Sequence, residues 1–181
     1  MFNWFRKSTT EPLAVSMSGV KLADRLLVVG CGDPRLVAAL ALKVGLTGRA
    51  CALDDSPERV AHAQRLAERE GALLEGLVSD RAAVDLPDAS FDLVVLRHVE
   101  PAAPADALAE AKTALRILRP GGRCLVIGGS AGGFGVLRPA APPGPDSPEL
   151  VRALETAGFA AVRQLAERGG QRFVEGVKRN V

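Results

Sequence analysis

Residues with chemical potential gather at four places in the sequence: Gly30-Cys31-Gly32-Asp33-Pro34, Asp54-Asp55, Asp80-Arg81, and Arg97-His98 with Glu100 close behind. Each directly follows an apolar run of strand length. Glycine at such a turn lets a backbone approach a ligand. An aspartate closing a strand suits the two hydroxyls of a ribose, and a histidine at a strand end is a candidate proton acceptor.

Structural alternatives stand beside each of these readings. Asp33 followed by Pro34 starts a helix by itself, because a carboxylate caps the first turn and proline presets φ. Asp54 differs. Ser56 already serves as cap for the next helix, which leaves Asp54 without a structural duty and favours a ligand contact. Asp80 suits a turn former and a ligand contact equally. His98 reads either as a hydrogen-bonded strand end or as a pocket wall and proton acceptor, whereas His62 falls on the outer side of a helix.

These residues need an alternating scaffold to bring them to one edge. Strand-length apolar runs occur at Arg25 to Val29, Arg49 to Leu53, Leu73 to Val78, Phe91 to Leu96 and Gly122 to Ile127. Between them lie segments of helical spacing. In SPERVAHAQRLAEREG, Ser56 caps, Pro57 takes the first helical position, Val60, Ala63, Leu66 and Ala67 share a face, and Gly71 stops the helix. In PADALAEAKTALRILRPGG, Leu108, Ala111, Leu115 and Leu118 are expected to face inward, with Pro120-Gly121-Gly122 ending the helix. Strands alternating with helices predict a parallel sheet covered on both faces, an α/β doubly wound domain. From Gly128 to Pro148 the sequence reads as a loop. A helix over Pro148 to Gly158 follows, and then AAVRQLA and RFVEGVK, split by ERGGQ, predict an antiparallel hairpin.

Composition narrows the class. The 181 residues are 48% apolar and 24% charged, enough for one substantial core. A net charge of +2 gives no strong field for nucleic acid or an anionic membrane. No apolar run reaches the ~20 residues that cross a bilayer, and MFNWFRKSTT lacks a secretion-signal centre, so the expected location is cytoplasmic. Cys31, Cys51 and Cys124 show neither CxxC spacing nor a nearby histidine cluster, so no metal or disulfide framework is expected. Residues 1–21, with Phe2, Trp4 and Phe5, read as a segment packed on the domain of residues 22–181 or on a partner.

The ordered set LLVVGCG, CALDDSPERV, SDRAAVDLPDASFDLVVLRHV and ALRILRPGGRCLVI resembles the Rossmann-like, class I S-adenosylmethionine-dependent methyltransferases from about Leu22 to Lys178. The resemblance implies a seven-stranded sheet whose last strand inserts antiparallel beside the fifth. It implies a chain that transfers a methyl group from S-adenosylmethionine, leaving S-adenosylhomocysteine, to a small molecule or exposed group of unstated identity. Gly30 and Gly32 would admit the cofactor's amino-acid part and ribose, with Cys31, Asp33 and Asp55 in the same turns. Asp54 would take the ribose hydroxyls, Asp80 the adenine amino group, Arg81 the side of the ring, and Arg97 the methionine portion. SAGGFGVLRP could close as a flap, and the acceptor pocket would be shallow or completed by another subunit.

Two positions depart from that family. Val28 stands where an acidic residue usually precedes the first glycine, and Pro34 replaces the third glycine. Asp33 supplies part of the missing charge. These departures make a non-catalytic, cofactor-sensing or assembly subunit the alternative reading. A nicotinamide-dependent oxidoreductase is a third, set back by Arg35 where its fingerprint needs glycine.

Overall fold

The computed structural model describes residues 12–98, 104–129 and 147–180. A short helix, α1 (Leu13–Ser18), precedes the alternating order β1 (Arg25–Val29), α2 (Pro34–Val44), β2 (Arg49–Asp54), α3 (Pro57–Arg69), β3 (Glu75–Val78), β4 (Phe91–His98), α4 (Pro104–Ile117), β5 (Leu118–Gly128), α5 (Ser147–Ala157), β6 (Ala160–Arg168) and β7 (Gln171–Val177). The strands form one seven-stranded sheet in the order β3-β2-β1-β4-β5-β7-β6. The first five pair in parallel, whereas β7 runs antiparallel to both β5 and β6. The expected mixed sheet and terminal hairpin are therefore present.

Strand alternation divides the core into two layers. Leu26 and Val28 face the side covered by α1, α2 and α3, while Leu27 and Val29 face α4 and α5. The hairpin turn uses Gly169 and Gly170, with φ of +60° and +80°, which matches the twist of the flanking strands. Chain order reverses between β1 and its neighbour β4, so the ligand crevice of such a sheet lies over the carboxyl ends of these strands.

Capping follows the local sequence. Asp33 accepts the Leu36 N–H at 3.1 Å, and Ser56 accepts the Arg59 N–H at 3.3 Å, each directly before a proline in the first helical turn. The sequence reading errs at the end of α4. The helix stops at Ile117, and Leu118 already belongs to β5, pairing with Phe91. Pro120-Gly121-Gly122 makes an irregularity inside β5, because the register jumps from Leu118 opposite Phe91 to Arg123 opposite Leu93. The buried residues of α4 include Ala107, Glu110, Ala111, Ala114 and Ile117; Leu108 and Leu115 are half-buried.

Arg123 ties the end of the first helix to β7. Its Nη2 donates to the carbonyls of Ser18 and Gly19 at 2.8 and 2.9 Å, and its Nη1 lies 3.2 Å from the Glu175 carboxylate on β7. Among the described residues no helix is long and apolar enough to cross a membrane, and no cluster of side chains could hold a metal ion. The aromatic N-terminus, Glu100 and the SAGGFGVLRP segment lie outside the described residues.

Candidate functional site

Strand β1 ends in a corner whose two glycines have different reasons to be glycine. Gly30 has φ of +96°, and a Cβ there would lie 3.1 Å from the Arg97 carbonyl oxygen and 3.2 Å from the Arg81 guanidinium. The fold itself therefore demands this glycine, whereas the sequence suggested only ligand space. Gly32 is exposed and has open space for 4 Å around its Cβ position, so no atom of the Pro34 ring crowds that side. Pro34 occupies the first turn of α2, where its missing N–H would lack an intrahelical partner anyway. Val28 is fully buried among α2 residues such as Leu36 and Leu40, so its side chain serves the core.

Asp54 closes β2 as a buried carboxylate with three partners. Its Oδ2 accepts the Cys31 N–H at 2.7 Å; its Oδ1 accepts the Ser56 N–H at 3.0 Å and lies 3.0 Å from Arg59 Nε. This corrects the expectation that Asp54 lacks a structural duty. Burial pushes its pKa upward, but the two backbone donors, Asp55 and Arg59 together hold it below the ordinary carboxylate value. Asp55 is exposed and meets Arg59 Nη2 at 3.0 Å. The Cys31 thiol is pushed up to about 12 by burial first and by Asp54 second, so it is no nucleophile at neutral pH.

Two arginines meet above β1 and β4. Arg81 donates to the Arg97 carbonyl at 2.7 Å, and its Nε lies 3.2 Å from Glu110 on α4. Burial raises the Glu110 pKa to about 7 against the opposing pull of Arg81. Arg97 is only 5% exposed, and among the described residues neither its Nε nor its Nη1 has a hydrogen-bond partner. The nearest carboxylate, Asp33, is 3.7 Å from Nη1. Burial lowers the Arg97 pKa and Asp33 opposes that shift. Asp80 is exposed and accepts the Ala82 N–H at 2.8 Å, closing a local turn.

Gly30, Cys31, Asp33, Asp54, Arg81 and Arg97 thus form one connected edge, with Asp55 at its rim. His98 is the last residue of β4 and pairs with Gly128, and its side chain lies outside the described set. Arg59 and Glu110 were missed. Asp55 and Arg59 were a visible opposite-charge pair four positions apart across the start of α3, and Glu110 beside Ala107, Ala111 and Ala114 was an acid on an apolar face.

The methyltransferase-domain family matches residues 27–126, which contain all of these strand ends. The chain belongs to that family. With it comes the cofactor of the class I methyltransferases, S-adenosylmethionine. The chain is 38% identical over 125 residues to the chloroplastic 2-phytyl-1,4-beta-naphthoquinone methyltransferase of Arabidopsis thaliana, covering 64% of itself and 45% of that protein. It is 30% identical over 119 residues to a ubiquinone/menaquinone biosynthesis C-methyltransferase UbiE of Pseudomonas putida, covering 62% of itself and 44% of the relative. It therefore spans less than half the length of these curated relatives. The structure of a SAM-dependent methyltransferase from Aquifex aeolicus superposes with a TM-score of 0.69 at 21% identity, covering 93% of this chain and 89% of that one, a likeness of fold.

Proposed function

We propose that the edge over β1, β2 and β4 binds S-adenosylmethionine and that the chain methylates a small hydroxylated aromatic of the reduced-quinone type. The observation that carries the binding reading is the Arg97–Asp33 pair. A buried guanidinium whose Nε and Nη1 have no hydrogen-bond partner among the described residues sits 3.7 Å from a carboxylate that is 41% exposed, beside a glycine corner with open space. Such a pair complements an amino-acid zwitterion, Arg97 toward its carboxylate and Asp33 toward its ammonium, and so offsets the absent acid at position 28.

The remaining parts of the cofactor fit the same edge. Asp54 is assigned to the ribose hydroxyls, Asp80 to the adenine amino group, Cys31 and Asp55 to the turns flanking the nucleoside, and Gly30 and Gly32 to the backbone wall. Arg81, bound to the Arg97 carbonyl, supports that wall. When bound, S-adenosylmethionine supplies a methyl carbon on a sulfonium that is already a good leaving group. The chain's own work is then to align the acceptor and to accept its proton. We assign the proton to His98, the residue after Arg97.

The acceptor class rests on the names of the two relatives, both of which are quinone-type methyltransferases. Incubation with methyl-labelled cofactor and a panel of reduced naphtho- and benzoquinones is expected to label one of them. Tight binding of S-adenosylhomocysteine with no transfer to any quinol would remove the acceptor assignment.

A further inference from the structure

Arg59 has no place in the expected site, yet it lies directly on the carboxylate assigned to the ribose. Its Nε is 3.0 Å from Asp54 Oδ1 and its Nη2 is 3.0 Å from Asp55 Oδ1. The arginine side chain is 53% exposed, whereas the Asp54 side chain beneath it is 3% exposed. The guanidinium therefore borders solvent while the carboxylate does not.

An ionised carboxylate offers about four acceptor directions. The Cys31 N–H takes one on Oδ2 and the Ser56 N–H one on Oδ1, where the Arg59 guanidinium adds an ion pair at 3.0 Å. A ribose brings a pair of hydroxyl donors, and the Arg59 cation stands against the oxygen that one of them would approach. The two backbone donors are fixed by the ends of β1 and α3. Arg59 is the partner that can leave, because it hangs on a flexible side chain from the exposed face of α3.

We infer that Arg59 is a displaceable latch on the ribose carboxylate, competing with the bound cofactor for Asp54 and thereby setting its affinity. This rests on the assignment of Asp54 to the ribose. Asp55, exposed and already in contact with Nη2, gives the released guanidinium a second partner. In the free protein the latch also keeps a buried charge paired, which an empty ribose site would otherwise leave short of one donor.

The test is calorimetric titration of S-adenosylhomocysteine and of adenosine, both without net charge, into wild type and Arg59→Met. The variant keeps the stem and helix propensity and removes the cation. Binding is expected to tighten about two- to fivefold in Arg59→Met, the ratio set by a partly exposed ion pair. Raising salt from about 0.05 M to about 0.5 M screens the latch, so adenosine affinity should rise with salt in wild type and stay flat in the variant. Equal affinities with equal salt responses overturn the latch and leave the ribose assignment standing. Weaker binding by the variant also overturns it, by making Arg59 a ligand contact. Binding by neither protein, with both folded by circular dichroism, removes the cofactor assignment and the latch together.

Discussion

The carboxylate of Asp54 accepts the backbone N–H of Cys31 at 2.7 Å, joining the carboxyl ends of β1 and β2 beside the switch point between β1 and β4. The glycine corner is thus held by a residue on the neighbouring strand. Asp54→Asn replaces one acceptor oxygen with an N–H₂ facing donors. It should destabilise the protein by about 1–3 kcal/mol in denaturant unfolding and abolish measurable S-adenosylhomocysteine binding. A variant as stable as wild type would show that the tie is dispensable.

The two corner glycines should separate folding from binding. Gly30→Ala forces a Cβ onto φ of +96° and against the Arg97 carbonyl, with an expected loss of about 1–3 kcal/mol. Gly32→Ala meets no atom within 4 Å, so its stability should match wild type within about 0.5 kcal/mol. Its affinity for S-adenosylhomocysteine should fall about tenfold. Full affinity in a folded Gly32→Ala protein would place the ligand elsewhere.

Arg97→Met should move stability and affinity in opposite directions. A buried guanidinium with two unpaired N–H groups is costly to hold, so the apolar replacement should raise stability by about 1 kcal/mol. Loss of its charge-assisted contacts should weaken S-adenosylhomocysteine about tenfold or more. A destabilised variant with wild-type affinity would mean that Arg97 is structural.

Much of the scaffold is legible in local residue order. Val-rich strand runs, the Ser56-Pro57 and Asp33-Pro34 helix starts, and the Gly169-Gly170 turn each act over a few residues, and each is where its chemistry predicts. The end of α4 is not legible, since Leu118 satisfies the helical apolar face and the strand alike, and pairing with Phe91 decides it. At the site, Asp54 is visible as a strand-end acid, but its two backbone donors and its ion pair with Arg59 are not. Arg97 and Glu110 depend on contacts between distant segments, Glu110 meeting Arg81 across 29 positions and Arg97 meeting Asp33 across the switch point. Residue order marks Glu110 only as an acid on an apolar face and carries no mark of the burial that gives Arg97 its electrostatic character.

Glu110 should give stability a pH dependence of its own. Burial raises its folded pKa from 4.5 to about 7, while Arg81 opposes this and Asp106 and Asp80 reinforce it. Between those values the folded chain holds a proton that the unfolded chain has released, so the contribution is complete below about pH 4.5 and is lost as pH rises through about 7. Between about pH 5 and about pH 8, wild type should lose about 1–3 kcal/mol relative to Glu110→Gln in denaturant unfolding. A difference that stays constant across that range would mean that Arg81 keeps Glu110 ionised throughout.

The three cysteines sit on separate stretches of the sheet, in β2, in β5 and just after β1, and all are free and sealed from solvent. Burial holds the thiols in their unreactive, protonated form, Cys51 at about 11. An alkylating reagent can therefore reach sulfur only when the interior opens, and the order in which the three positions are tagged would chart which part of the sheet breathes first. The molecule carries an unfolding clock made from its own side chains, readable by mass spectrometry without any engineered label.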